Sequence, residues 1–174
     1  PDKAIVGERI KRSENLIFKI SYSIHKLITY TFTGQSIKFG NFTCLPKSTV
    51  EKMISDKATW SSFSGALTKV EKNRKASPST RGTRYFGPSK MNFLNLVKHS
   101  LAIIAVFKVN VIFRSALFYA IYLYLISSNI TYITLIPLGL IIVFIISVLT
   151  LSKREDLNAL NDSTNNLASF DKIK

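Results

Sequence analysis

Six cations stand in two groups, Arg9, Lys11 and Arg12 near the start and Arg81, Arg84 and Lys90 near the middle of the chain. The planar fork of an arginine matches two phosphate oxygens at once, so such groups suit phosphate recognition. Other chemistries fail for want of residues. His25 and His99 are the only histidines and Cys44 the only cysteine. Cys44 has no histidine close in sequence, and a buried inert thiol is the commoner fate of a lone cysteine. No Cys and His spacing suits a metal, and no glycine-rich loop runs into Lys and Ser or Thr as in a phosphate-binding loop. No two acids are separated by one residue, so the Asp-x-Asp clasp that divalent-metal chemistry on a nucleotide requires is missing. The catalytic residues stay unassigned.

Charge alone leaves three partners open. Anionic headgroups attract Lys and Arg by about 1 kcal/mol each, and on charge alone this plainer reading leads. A phosphate-bearing substrate held at the bilayer surface comes next. Nucleic acid comes last and is not expected, because neither an aromatic-interleaved basic strand nor a recognition helix supports it.

The elements that position these cations follow from composition. The chain has 174 residues, 24 Lys and Arg against 10 Asp and Glu, a net charge of +14, and 47% hydrophobic residues. Residues 1–100 hold 18 basic and 6 acidic side chains, whereas residues 101–151 hold only Lys108 and Arg114. That excludes a disordered polycation, which lacks apolar residues. A single Cys44 excludes a disulfide-stapled domain. A basic region followed by a membrane-embedded hairpin remains.

Residues 130–151 carry no charge and are rich in Ile, Leu and Val. About 20 such residues cross about 30 Å of hydrocarbon as a helix. Residues 109–127 are also long enough, with Arg114 one turn in, where its guanidinium is expected to snorkel to the headgroups. The connector Ser128-Asn129 allows only a tight hairpin. Its outer ends carry Lys98, Lys108, Arg114, Lys153 and Arg154 and the connector carries no charge, so both termini are expected in the cytoplasm. The segments are too long and too C-terminal for a signal peptide. They are also too apolar all round for a core hairpin with a wet face. Upstream, Leu94, Val97, Leu101 and Ile104 recur at helical spacing opposite Asn92, Asn95 and His99, an amphipathic helix suited to the interface plane.

Residues 1–90 read as mixed α/β with few strands. Ala4, Ile5 and Val6 make a short strand that turns at Gly7. Ser13 opens a helix reaching Thr33, with Ile17, Ile20, Ile24 and Leu27 as its stripe and Gly34 at the C′ position. Residues 36–42 are extended. Ser48 and Glu51 make a capping box for a helix running toward Asp56, and another helix covers about 59–71. Residues 72–88, rich in Ser, Thr, Pro, Gly and Arg, read as a loop. No repeats occur. A stand-alone α/β domain needs more strands than this, so the chain is expected to be the back half of something longer.

The stretch Arg84-Tyr85-Phe86-Gly87-Pro88-Ser89-Lys90-Met91-Asn92-Phe93, followed by the amphipathic helix and two spans, resembles the C-terminal half of membrane-bound family-2 glycosyltransferases of the polyprenyl-phosphate (dolichol-phosphate-mannose-synthase-like) group. Val6-Gly7-Glu8-Arg9 is similar to the valine, glycine and arginine element after that family's metal-binding strand. Phe39-Gly40-Asn41-Phe42-Thr43-Cys44-Leu45-Pro46-Lys47 is similar to its Gly-Asp/Asn-Phe segment. Residues 60–67 sit where it has a helix below the acceptor site. The resemblance covers roughly residues 4–151.

It implies α/β plus membrane helices. Residues 1–89 would be the C-terminal part of a GT-A-type glycosyltransferase domain, 90–108 an amphipathic interface helix, 109–151 a two-helix transmembrane hairpin, and 152–174 a mobile cytoplasmic tail. The implied reaction is inverting transfer of a sugar from a nucleotide-sugar donor to polyprenyl phosphate or a polysaccharide acceptor at the lipid bilayer. By resemblance Arg9 and Arg12 would hold the acceptor phosphate, and Arg84, Ser89 and Lys90 would close over the phosphates. Asn41 stands where many members have Asp; an amide is no carboxylate base, so a turn residue is an equal reading. A divalent cation, Mg or Mn, is expected in the longer enzyme, with ligands outside this chain, and the chain is expected to be inactive alone. The spans could pack as a homo-oligomer. The competing class is a small basic membrane adaptor or assembly subunit without enzymatic activity.

Overall fold

The computed structural model describes residues 3–11, 16–80 and 92–166. Among them run β1 (Ala4–Lys11), α1 (Leu16–Thr33), β2 (Phe39–Cys44), α2 (Lys47–Ile54), α3 (Ala58–Ser61), α4 (Phe63–Val70) and β3 (Arg74–Thr80). Then come α5 (Phe93–Ala105), α6 (Lys108–Ile126), α7 (Tyr132–Ser152) and α8 (Leu157–Asp162). The result is a mixed α/β fold with one small sheet and two long apolar helices.

β1 is the middle strand, antiparallel to β2 and parallel to β3. It does not turn at Gly7 as its sequence implies. Pairing passes from Val6 with Thr43 to Glu8 with Phe39, so three residues of β2 bulge against Gly7. A Cβ at Gly7 would lie 3.2 Å from the Phe42 carbonyl oxygen and 3.3 Å from Phe42 Cβ. Glycine lets the bulged strand close in, and β1 continues to Lys11.

The expected loop at residues 72–88 is also corrected over its first half. Arg74 to Thr80 pair in parallel with β1, and the Ser79 hydroxyl donates to the Glu8 carbonyl at 3.1 Å. The segment carries no alternation of apolar side chains. It is a strand because its backbone completes the edge of β1, where Pro78 can be accommodated without a ladder donor.

Under the sheet, Val6, Met53, Ala58, Ala66, Leu67 and Val106 form one core. The capping box expected at Ser48 and Glu51 is absent: α2 starts at Lys47 after Pro46, without a side-chain cap. The single helix expected over 59–71 is two. Ser62 is extended (φ −156°, ψ 109°), and its hydroxyl accepts from the Gly65 N–H to cap α4.

α1 ends as expected, with Gly34 at φ +74°. Its stripe does not pack inward, however. Ile20, Ile24 and Leu27 are exposed, and the contacts come instead through Ile28 and Phe32, whose ring meets Phe118 at 5.7 Å and Phe144 at 4.6 Å. α5 likewise divides in two. Leu94 and Val97 are exposed, but Ala102 to Ala105 are buried among α1, α4, α6 and α7.

α6 and α7, 19 and 21 residues long, are long and apolar enough to cross a membrane. Only 11% of each most apolar window is buried, which is not the arrangement of a core hairpin in a soluble protein. Their connector is capped by a reciprocal Thr131 and Thr134 box. The tail expected to be mobile is helical over α8, where the Asp156 carboxylate accepts from the Asn158 and Ala159 N–H groups, and α8 rests on α3.

Candidate functional site

Parallel pairing sets Lys11, the last residue of β1, beside Thr80, the last residue of β3. Both strands therefore deliver their carboxyl ends to one end of the sheet, the position from which α/β proteins commonly present ligand-binding loops. From Lys11 the chain leads to Arg12, and from Thr80 to Arg81 and Arg84. Arg12, Arg84, Ser89 and Lys90 themselves lie outside the described residues. Arg9 is on β1, registered with Ser79, and only its backbone is described. Asn41 sits exposed in the β2 bulge beside Gly7. Thus Arg9 and Asn41 share the sheet. Cys44 is exposed at the far end of β2, paired with Ile5. His25 is on α1, within 3.3 Å of the Thr29 hydroxyl, and His99 is on α5, so neither histidine belongs to the sheet.

The charged groups around the sheet divide into those with structural partners and those without. Lys38 pairs with Glu8 at 3.4 Å. Arg74, at the start of β3, caps the end of α4 by donating to the Leu67 and Thr68 carbonyls at 3.4 Å and to the Glu71 carbonyl, and it lies 5.3 Å from the Phe39 ring centre. A cation suits a helix C-terminus. Burial pushes the Arg74 guanidinium below its usual pKa, against the pull of Glu71, yet arginine keeps its charge. Arg74 is thereby committed to the fold.

The acids are committed too. Glu71 accepts from the Thr49 hydroxyl at 3.3 Å and from the Asn73 N–H at 3.0 Å. Partial burial raises the Asp56 carboxyl, but Lys69 at 2.7 Å and the Ala58 N–H outweigh this and hold it below the usual carboxylate range. Among the described residues no group of three His, Cys, Asp or Glu stands close enough to hold a metal ion.

A second constellation lies where α1 meets α6. Asn110 Nδ2 donates to the Thr33 carbonyl at 3.1 Å and Arg114 Nη1 to the Thr31 carbonyl at 3.0 Å. The guanidinium expected to snorkel to the headgroups reaches the unpaired carbonyls at the end of α1. Gly34 is visible in the sequence by its helix-ending position, but this partner, far along the chain, is not. Nearby, Lys108 pairs with the nearly buried Glu155 at 2.9 Å and ties the outer ends of α6 and α7 together.

Comparison of the chain with protein-family models, with curated proteins and with solved structures gives no match.

Proposed function

We propose that the chain is the C-terminal part of an inverting membrane glycosyltransferase that moves a sugar from a nucleotide-sugar to polyprenyl phosphate or a polysaccharide acceptor. The observation carrying this reading is the parallel pairing of β1 with β3, because it sets the end of β1, which carries Arg9 and Lys11 and leads to Arg12, beside the end of β3, from which the chain leads to Arg81 and Arg84. In the proposed transfer to polyprenyl phosphate, an anionic phosphate oxygen attacks the anomeric carbon as the bond from that carbon to the nucleoside diphosphate breaks. The configuration inverts, and negative charge collects on the departing diphosphate. A phosphate acceptor is already an anion, so catalysis rests on positioning and on cations that stabilise the leaving group. Arg9 and Arg12 hold the acceptor phosphate, and Arg84, Ser89 and Lys90 close over the diphosphate. A divalent cation would add charge at that diphosphate, with ligands outside the described residues.

In this reading α6 and α7 cross the bilayer with both termini cytoplasmic. The supporting features are the cations at their outer ends, the uncharged connector, and the Lys108 to Glu155 bridge at their base. Membranes containing the longer protein of which this chain would be the C-terminal part should transfer labelled sugar from a nucleotide-sugar into the lipid or polysaccharide fraction. Arg84→Ala should abolish that transfer while leaving the amount of membrane-embedded protein unchanged. Undiminished transfer by the variant removes Arg84 from the site. No transfer by the unaltered longer protein returns the reading to a basic membrane adaptor.

A further inference from the structure

α1 leaves an apolar stripe that no part of the described chain covers. Leu16, Ile20, Ile24 and Leu27 fall within one face at about 100° per residue, and all four are more than half exposed. Lys19 and Lys26 border that face on one side, with the Lys26 ammonium 5.4 Å from the Tyr22 ring centre. An apolar stripe flanked by lysines is the pattern of a helix lying at a bilayer surface, its stripe among acyl chains and its cations at lipid phosphates.

The level at which α1 docks supplies an independent observation. Asn110 and Arg114 hold its last turn against α6. Phe32 meets Phe118, ten residues after Lys108, and Phe144, eight residues before Ser152. At 1.5 Å per residue these contacts lie about 12–15 Å along the two helices from their outer ends. The end of α1 therefore sits beside the outer half of the hairpin and not above it. On the same outer half of α6, Val109, Phe113 and Leu117 are more than half exposed as well.

We infer that α1 is a further membrane-bound element, an interfacial helix whose Leu16, Ile20, Ile24 and Leu27 stripe is covered by lipid. This rests on the reading that α6 and α7 span the bilayer, and the test separates the two. The whole chain, with Cys44→Ser, is reconstituted in vesicles of phosphatidylcholine and phosphatidylglycerol at about three to one, a mixture that supplies anionic headgroups. A fluorophore is attached at Ile24→Cys, Leu27→Cys, Ile142→Cys on α7 or Ser55→Cys next to α2, one site per sample, and nitroxide-bearing lipid is added as quencher. Ile24 and Leu27 should lose fluorescence as Ile142 does, while Ser55 keeps it. If Ile142 is quenched but Ile24 is not, and a membrane-impermeant thiol reagent reaches Ile24→Cys before labelling, water covers the stripe and the inference falls. If Ile24 is neither quenched nor reached, a second copy or another protein covers it, and the inference falls equally. If Ile142 itself escapes quenching, the spanning reading fails and takes the inference with it.

Discussion

One residue type has three fates in this chain. Arg74 is fixed among the carbonyls closing α4, Arg114 reaches the end of α1, and Arg84 is proposed for phosphate. Charge does not separate them; for Arg74 and Arg114 the role comes from the backbone carbonyls within reach. The Arg114 arrangement depends on Gly34, since a Cβ there would lie 2.9 Å from Arg114 Nη2 and the backbone already sits at φ +74°. Gly34→Ala should cost about 1–2 kcal/mol from the left-handed conformation alone. It should also push the guanidinium off the Thr31 carbonyl. Arg114→Ala loses that bond by itself, so the double variant should lose about 0.5–1 kcal/mol less than the two single losses combined. Thermal unfolding of the four proteins in detergent measures the coupling. Strict additivity would mean that Gly34 and Arg114 act separately.

Between elements, close approach again depends on glycine, where α4 packs on α5. A Cβ at Gly65 would lie 2.9 Å from Val106 Cγ2 and 3.3 Å from the Ile103 carbonyl oxygen, and the latter is backbone that cannot swing aside. Gly65→Val should destabilise the fold by about 1–3 kcal/mol through overpacking. Gly139 on α7 is surrounded by open space, with nothing within 4 Å of where a Cβ would stand, so Gly139→Ala should be neutral or gain up to about 1 kcal/mol in helix propensity. Melting temperatures in detergent decide both, and equal shifts at the two glycines would refute the packing account. Elements such as α6 and α7 are legible in the sequence because length and apolarity alone specify them. The end of α1 is legible through Gly34. β3 is not, because the sequence from Arg74 to Thr80 has no periodic apolar face and contains Pro78; it is made a strand by pairing with β1, far earlier in the chain. The break at Ser62 is hidden for a related reason, since its hydroxyl serves a cap that only the packed backbone reveals. The candidate site shares this limit. Its residues can be picked out one by one, but the adjacency of Lys11 and Thr80 is a property of strand pairing.

For the whole molecule, the net charge of +14 acts through where it is placed. The outer ends of α6 and α7 carry Lys108, Lys153 and Arg154, with Lys98 on the preceding α5, and the connector carries no charge, which by the positive-inside rule favours both ends on the cytoplasmic side in the proposed topology. Lys108 is a poor choice for testing this. It pairs with Glu155, whose side chain is only 6% exposed, and removing Lys108 would leave that carboxylate without its cation in a part-buried place, a loss of stability that would confound the test. Lys98, Lys153 and Arg154 form no ion pair among the described residues, so they can be neutralised without that complication. In intact cells, with Cys44→Ser as background, Asn129→Cys should react with an impermeant thiol reagent and Ser163→Cys should not until the membrane is opened. Adding Lys98→Gln, Lys153→Gln and Arg154→Gln together with Ser128→Arg should erode that contrast, because the charge difference across the hairpin then narrows from both sides. Labelling of Ser163→Cys but not Asn129→Cys in the starting protein would reverse the orientation, and labelling of both would show that the hairpin does not span.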